Sequence, residues 1–335
     1  MSTNDEGLPG WYRAVAHQLT VAPNLSRATV ADREIETDNS RDMRRMLAEA
    51  LYDILHAGQH VEKGELSFRL REEGFEAHLA TAVPHERTTA PALVLRPAED
   101  DGKGGTRLLV ERDGVKLWLP AGLVRDADTA REGQVVAVTV PARRPALSPG
   151  FFVVDGTTPR SPHRELLRLY VHLDGWEAAA PVWAQVLEYL EERDVAYRSK
   201  VLSAKALYPR RDALVVYLGQ ESWDHIAALA ALLDGLPGVA PESSVFAQRI
   251  VPGVSVAWEP DDRSPGMQGL SFGQHRATAL AHALMDSAAG GEPLAAVLRA
   301  RFTEAGIDPD NPARNLDSPR FPAFHVPCPA VPVPA

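Results

Sequence analysis

Between residues 151 and 305 the chain alternates two hydrophobic rhythms, and that alternation limits its fold more than any other feature. Apolar runs at Phe151–Val154, Leu166–Leu173, Tyr197–Leu202, Ala213–Leu218 and Val254–Trp258 have the length and β-branched content of strands. Between them the spacing turns helical. Residues from about Gly175 to Arg193 carry Trp183, Val186, Leu187 and Leu190 on one face, and a second helix spans Trp223–Leu233. Two more helices, at about 274–289 and 292–305, close the segment before Gly306. This order predicts an α+β fold, with a mixed β-sheet packed against helices in the C-terminal half.

The N-terminal half reads differently. The first forty residues are polar and aperiodic, which predicts a loose arm with one short helix. Met43, Met46, Leu47, Ala50, Leu51, Ile54 and Leu55 then recur at helical spacing, with Ser40 placed to cap and Gly58 to stop the helix. From Leu66 to Val140 the pattern is β-like, and Asp113-Gly114 between two apolar runs signals a hairpin. Residues 141–150 (PARRPALSPG) read as a linker. The expected organisation is a helix plus smaller β-rich domain over 1–145, with possible peptide binding, a second domain over 146–318, and a Pro-rich tail over 319–335.

Composition narrows the partners. Acidic residues outnumber Lys and Arg by 45 to 35, a formal net charge of −10, which argues against generic binding to nucleic acid or anionic membrane. The single cysteine, Cys328, rules out an intramolecular disulfide framework. No apolar run approaches the ~20 residues that span a bilayer, and the polar MSTNDEGLPG start predicts no signal peptide, hence a cytoplasmic protein. Five of the cations are lysine: Lys63, Lys103, Lys116, Lys200 and Lys205.

Phosphate-loop, HExxH, CxxC and GxGxxG signatures are missing, so no cofactor or metal is expected. His56 and His60 have the four-residue spacing of a helical metal pair, but Gly58 between them favours solvated histidines at a helix end. Gly269-Leu270-Ser271-Phe272-Gly273 fits the G-x-S-x-G nucleophile elbow, yet the turn-rich Pro260–Gly266 stands where that motif needs a strand. Ser271, His275 and Arg276 open a helix instead, where free N–H groups attract anions. A plain serine cap with solvated His275 and Arg276 is the simpler account of those residues alone.

The segment Ala196–Arg211 holds Arg198, Lys200, Lys205, Arg210 and Arg211 with no acidic residue. A lysine among arginines has the like-charge neighbours that favour a neutral amine, and a neutral amine is a competent general base. A basic surface strand is the alternative. On the preceding strand Arg168, Tyr170 and His172 alternate, so they share a face.

Ordered segments through the C-terminal half then carry a resemblance. They are Gly150-Phe151-Phe152-Val153, Arg168-Leu169-Tyr170-Val171-His172, Ser199-Lys200-Val201-Leu202 and the run from Tyr208 to Tyr217. Val251-Pro252-Gly253, Glu259-Pro260, Ser271 to Arg276, and Gly306-Ile307-Asp308 with Pro312 and Asn315 continue it. Together, over about Phe151 to Asn315, they resemble the HopA family of type III effectors, with bacterial relatives in class V lanthipeptide and thioamitide clusters. One departure is His172, where the family is expected to carry asparagine.

The resemblance implies a lyase that eliminates phosphate from phosphoserine or phosphothreonine in a precursor peptide, leaving dehydroalanine or dehydrobutyrine. It implies Lys200 as base, Arg168, Arg211 and Arg276 as phosphate ligands with Ser271 assisting, and Tyr208, His172 or His275 as the acid. The implied partners are the phosphorylated precursor peptide, a kinase-like protein and a possible cyclase. A precursor-binding scaffold without chemistry is the alternative, with strand addition at the edge of the N-terminal sheet.

Overall fold

Tyr12, Leu19, Ala28, Val30 and Ile35 are buried in the computed structural model, which describes residues 7–60, 71–112, 114–160 and 165–320. Residues 7–40 are therefore no loose arm. They form helix α1 (Gly10–Arg13) and an antiparallel sheet of β1 (Leu19–Val21), β2 (Arg27–Val30) and β3 (Arg33–Glu36). Strands of 3 and 4 residues are too short for their alternation to stand out from polar neighbours.

Helix α2 (Ser40–Leu51) buries Met43, Leu47, Ala50 and Leu51. Its cap is Asn39 rather than Ser40: Asn39 Oδ1 accepts the Arg41 N–H at 2.8 Å. The helix continues as a π-helical turn over Tyr52–Ala57 and ends at Gly58, whose φ of +76° is the left-handed conformation that glycine tolerates. After α3 (Glu73–Ala80) come β4 (Arg87–Asp100), β5 (Thr106–Arg112), β6 (Val115–Pro120) and β7 (Val135–Pro141). These pair antiparallel in the order β6-β5-β4-β7 and enclose an apolar cluster of their own around Val94, Leu108, Val110 and Val138. Arg112 pairs with Val115 across the expected hairpin turn.

The segment expected as a linker supplies a strand, β8 (Arg143–Ser148), paired with β9 (Phe151–Asp155). Pro145 is compatible with that role because an edge strand lacks a ladder partner on one side. There follow β10 (Leu167–Leu173), α4 (Ala179–Glu191), β11 (Tyr197–Leu202), β12 (Arg210–Leu218), α5 (Ile226–Leu233), β13 (Gln248–Val251), β14 (Val254–Trp258), α6 (Phe272–Gly290) and α7 (Leu294–Glu304). Sequence periodicity anticipates each of these but β13, a four-residue strand that is only partly buried. The seven strands lie in the order β13-β14-β10-β12-β11-β9-β8. The α+β class holds, but every described pairing is antiparallel, so the sheet is not mixed in direction.

Helices cover both faces of this sheet. Leu169, Val171, Val201, Leu214 and Val216 pack with Trp183, Leu187 and Leu190 of α4 and Leu229 of α5. On the opposite face, Tyr170, Val215 and Ala257 meet an apolar cluster that joins Leu47 and Leu51 of α2 to Phe272 and Leu280 of α6 and Phe302 of α7. Each large aliphatic side chain buried this way contributes roughly 1.5–3 kcal/mol. No helix of the described residues is long and apolar enough to cross a membrane. His325, Cys328 and the Pro-rich tail from residue 321, like Lys63 and Asp113, fall outside the described residues.

Candidate active site

Strand register assembles the first wall of the site. Lys200 on β11 and Tyr170 on β10 both stand opposite Val215 of β12, so they share a row across the sheet. In the next row Arg198 and Arg168 flank Tyr217. Residues directly opposite one another point to the same face. Lys200 and Arg168 thus come from segments thirty residues apart onto one surface, with the Lys200 ammonium 4.0 Å from the Phe151 ring centroid and 5.7 Å from that of Tyr217. Arg168 is held by Glu259 through two hydrogen bonds and lies 5.0 Å from the Tyr217 ring. Burial would raise the Tyr217 phenol, but Arg168 and Lys200 outweigh it and bring the group below its ordinary range.

The second wall is helical. Tyr52 and His56, four residues apart, project from the π-helical turn toward the sheet, and both are buried. His56 Nδ1 shares a hydrogen bond with Ser244 Oγ at 2.8 Å, while Nε2 lies 3.6 Å from Asp212 Oδ2. Asp212 in turn accepts two hydrogen bonds from Arg210, at 2.7 and 2.8 Å, and Arg210 also donates to the Tyr52 hydroxyl at 2.6 Å. Burial opposes ionisation of Asp212, but Arg210, with His56 beside it, holds the carboxyl down at about 2. For His56 burial wins over the pull of Asp212 and pushes the imidazole down to about 4.

Helix α6 abuts this histidine with its N-terminus. Ser271 caps it: the hydroxyl accepts from the Gln274 N–H, and Gln274 Oε1 accepts from the Ser271 N–H. A turn, not a strand, precedes it, so the nucleophile elbow is absent. Gly273 lets the helix approach, since a Cβ there would lie 2.2 Å from His56 Cδ2. The first N–H groups of a helix lack intrahelical acceptors and carry its positive end. Between the two walls is a cavity of about 540 Å³, lined by Lys200, Arg168, Tyr170, Tyr52, His56 and Asp212, with Glu259, Asp262, Ser271 and Gly273. It brings together two cations, a buried imidazole and a helix N-terminus, the elements for binding an anion and moving a proton beside it.

Of the eight site residues that the resemblance implies, Lys200, Arg168 and Ser271 line the cavity and five do not. His172 leaves the row of Arg168 and Tyr170 at a register shift between Val171 and Leu173, and its Nδ1 meets the Glu242 carbonyl at 3.1 Å. Tyr208 is on the other face, donating to the Leu202 carbonyl at 2.9 Å and packing against Phe75. Arg211 donates to the Ile54 carbonyl at 3.2 Å and so holds the turn that carries His56. Arg276 lies one turn inside α6, where it clasps the Pro312 carbonyl at 2.9 Å and Asn315 Oδ1 at 2.7 Å. His275 reaches Asp262 at 3.0 Å from behind the lining. Burial, then Arg276, pushes His275 down to about 4 against Asp262.

The acid-free run is likewise no single patch. Arg198 pairs with Asp155, Lys205 stacks on Trp176, and Arg210 is neutralised by Asp212. His56, expected as solvated, is 2% exposed. Among the described residues no group of three His, Cys, Asp or Glu is arranged to hold a metal ion, and His60 does not join His56 in one.

Residues 142–314 match the model of the HopA1 effector protein family. The chain belongs to that family. Two solved structures are similar to it. The effector protein from Pseudomonas syringae pv. tomato strain DC3000 is 17% identical, with a TM-score of 0.44, over 84% of this chain and 91% of that one. The effector protein from Pseudomonas syringae pv. syringae strain 61 is 18% identical, with a TM-score of 0.43, over 82% and 92%. No curated protein matches the chain. The HopA1 match takes in Arg168, Lys200, Asp212 and Ser271, whereas Tyr52 and His56 lie before it. The site is therefore completed by the first sixty residues. One signal in the sequence pointed to them: Tyr52 and His56 put polar atoms, one helical turn apart, among the apolar stripe of α2, where a buried polar group needs partners.

Proposed function

We propose that this protein is a lyase that eliminates phosphate from a phosphoserine or phosphothreonine of a peptide, leaving dehydroalanine or dehydrobutyrine. The observation that carries the reading is the meeting of Lys200, Arg168 and the α6 N-terminus with His56 in one cavity. Membership of the HopA1 effector protein family is consistent with it.

The phosphoryl group sits against Arg168 and the first amides of α6, with the Ser271 hydroxyl beside it. Lys200 removes the Cα proton. The freed electron pair forms the Cα–Cβ double bond, the Cβ–O bond breaks, and phosphate departs with the bonding pair. Tyr170, kept neutral by burial, donates to the carbonyl oxygen as charge develops there. The acid role falls to His56. Burial keeps its imidazole neutral at pH 7, and a phosphate dianion beside it raises its proton affinity, so the substrate charges its own acid. Asp212 and Ser244 fix the ring for proton transfer to the bridging oxygen.

The test is incubation of the full chain with a synthetic phosphothreonine peptide, followed by mass spectrometry. A product lighter by the elements of phosphoric acid supports elimination. Free phosphate with the hydroxyl retained would indicate a phosphatase and overturn it. The second reading, a precursor-binding scaffold, has the exposed edge strand β6 in its favour, where Val115, Leu117 and Trp118 face solvent. Tight binding of unphosphorylated peptide with no elimination would establish that reading instead.

A further inference from the structure

A second cavity, of about 630 Å³, shares Tyr52, Leu270 and Gln274 with the one just described and opens along the outer side of α2 and α6. Its volume is that of a site holding a drug-sized ligand, well beyond a single phosphate. The wall is partly apolar, with Ala48, Leu270 and the stem of Thr278, and its rim is set with Arg41, Arg44 and Arg45 from one turn of α2.

The charges there are unevenly compensated. Glu49 is taken by Arg45 at 3.1 Å, and Asp53 by Arg33 at 2.8 Å. Arg41 and Arg44 are exposed and enter no ion pair among the described residues. His282 adds no charge at neutral pH, because burial, then Arg44, lowers its proton affinity. In a chain of net charge −10 this is a short cationic stretch, too small for a polyanion that the rest of the surface repels, and sized for a few carboxylates.

We propose that this groove binds an acidic stretch of the substrate peptide, adjoining the phosphorylated residue, with its carboxylates on Arg41 and Arg44. The inference rests on the lyase reading for the identity of the peptide, but the binding itself does not require elimination. Both arginines precede the family-matched segment, so the groove would give this chain a selectivity that the matched segment does not encode. Neither side chain touches the catalytic cavity.

The experiment uses the full chain and two phosphothreonine peptides, one flanked by three Asp residues on either side and one by Asn at the same places. Two exposed pairs predict about a three- to tenfold preference in kcat/KM for the acidic peptide, carried by KM. The preference should vanish at 1 M salt, where the Debye length is ~3 Å. The double variant Arg41→Glu/Arg44→Glu should lose it while keeping turnover on the Asn peptide, and should gain a preference for a Lys-flanked peptide. Equal kcat/KM for the two peptides, or an equal loss on both in the variant, would overturn the proposal. Fluorescence anisotropy with the unphosphorylated acidic peptide separates this inference from the lyase reading. Arg41- and Arg44-dependent binding without elimination leaves the groove and removes the lyase; elimination without such dependence does the reverse.

Discussion

Leu169, Val171, Val201, Leu214 and Val216 meet α4 and α5 as an apolar layer on one face of the seven-stranded sheet. The same strands turn Arg168, Tyr170, Lys200 and Tyr217 to the other face. Strand alternation makes the two faces independent: a side chain on one can change without its neighbours on the other noticing. The apolar face has a single task, to bury area. The polar face trades burial for chemistry, and the helices over it leave a cavity where the first would leave none. The difference separates stability from activity, and substitutions on the two sides should show it.

The largest effect is expected at Lys200. Lys200→Ala should lower turnover of a phosphothreonine peptide by about 10²–10⁴-fold, the range for removing a general base. The midpoint of urea unfolding should stay put, because the side chain rests on the Phe151 ring and makes no ion pair among the described residues. Full activity in that variant would remove the base assignment. Trp183→Ala on the opposite face should do the converse. Trp183 is fully buried and donates to Ser199 Oγ at 2.8 Å, so its loss should cost about 3–5 kcal/mol of stability. Turnover per folded molecule should hold, and a kinetic defect larger than the folding defect would break the separation of the faces.

A smaller effect is expected from pH. His56 and His275 both titrate at about 4 in the folded chain, against an ordinary value of 6.5. Between those limits the unfolded chain binds protons that the native one refuses, so stability is complete above 6.5 and falls as pH drops toward 4. Each histidine contributes about 1.4 kcal/mol per pH unit in that window. The Asp212 carboxyl, held at about 2, adds its loss only below 3.8. Thermal unfolding from pH 7 to 4.5 measures the slope, and His275→Asn should shallow it. A melting temperature that is flat over this range would contradict the buried, neutral imidazoles on the polar face.

The apolar face was the more legible of the two in the sequence. Its strands and helices repeat at periods of two and 3.6, and burial alone reads them out. Lys200 and Arg168 were also legible, since alternation places them on one face. Arg211, Arg276 and Tyr208 were not, because sequence shows a donor's type but not which carbonyl it meets. Arg276 is absorbed by Pro312 and Asn315, thirty-six and thirty-nine residues away. His172 was lost to a two-residue register shift against β12 that no local pattern announces. His56 was misjudged because Gly58 does end the helix, as expected, but the histidine before it turns inward and finds Asp212. Pairings across 156 and 188 residues, Arg211 with Leu55 and His56 with Ser244, depend on the assembled sheet and not on any neighbour in sequence.

The smallest effect sharpens the boundary between the two roles at a single residue. Ser271 both caps α6 and lines the cavity, so its loss could act through folding or through phosphate. Ser271→Ala removes the acceptor for the Gln274 N–H and should cost about 1 kcal/mol of stability, whereas Ser271→Gly should cost only a few tenths. Both variants remove the hydroxyl. If the hydroxyl contacts phosphate, KM for the phosphopeptide should rise equally in the two, although their stabilities differ. If Ser271 is a cap alone, the glycine variant should keep the original KM, and anion binding at this end of α6 then rests on its backbone N–H groups.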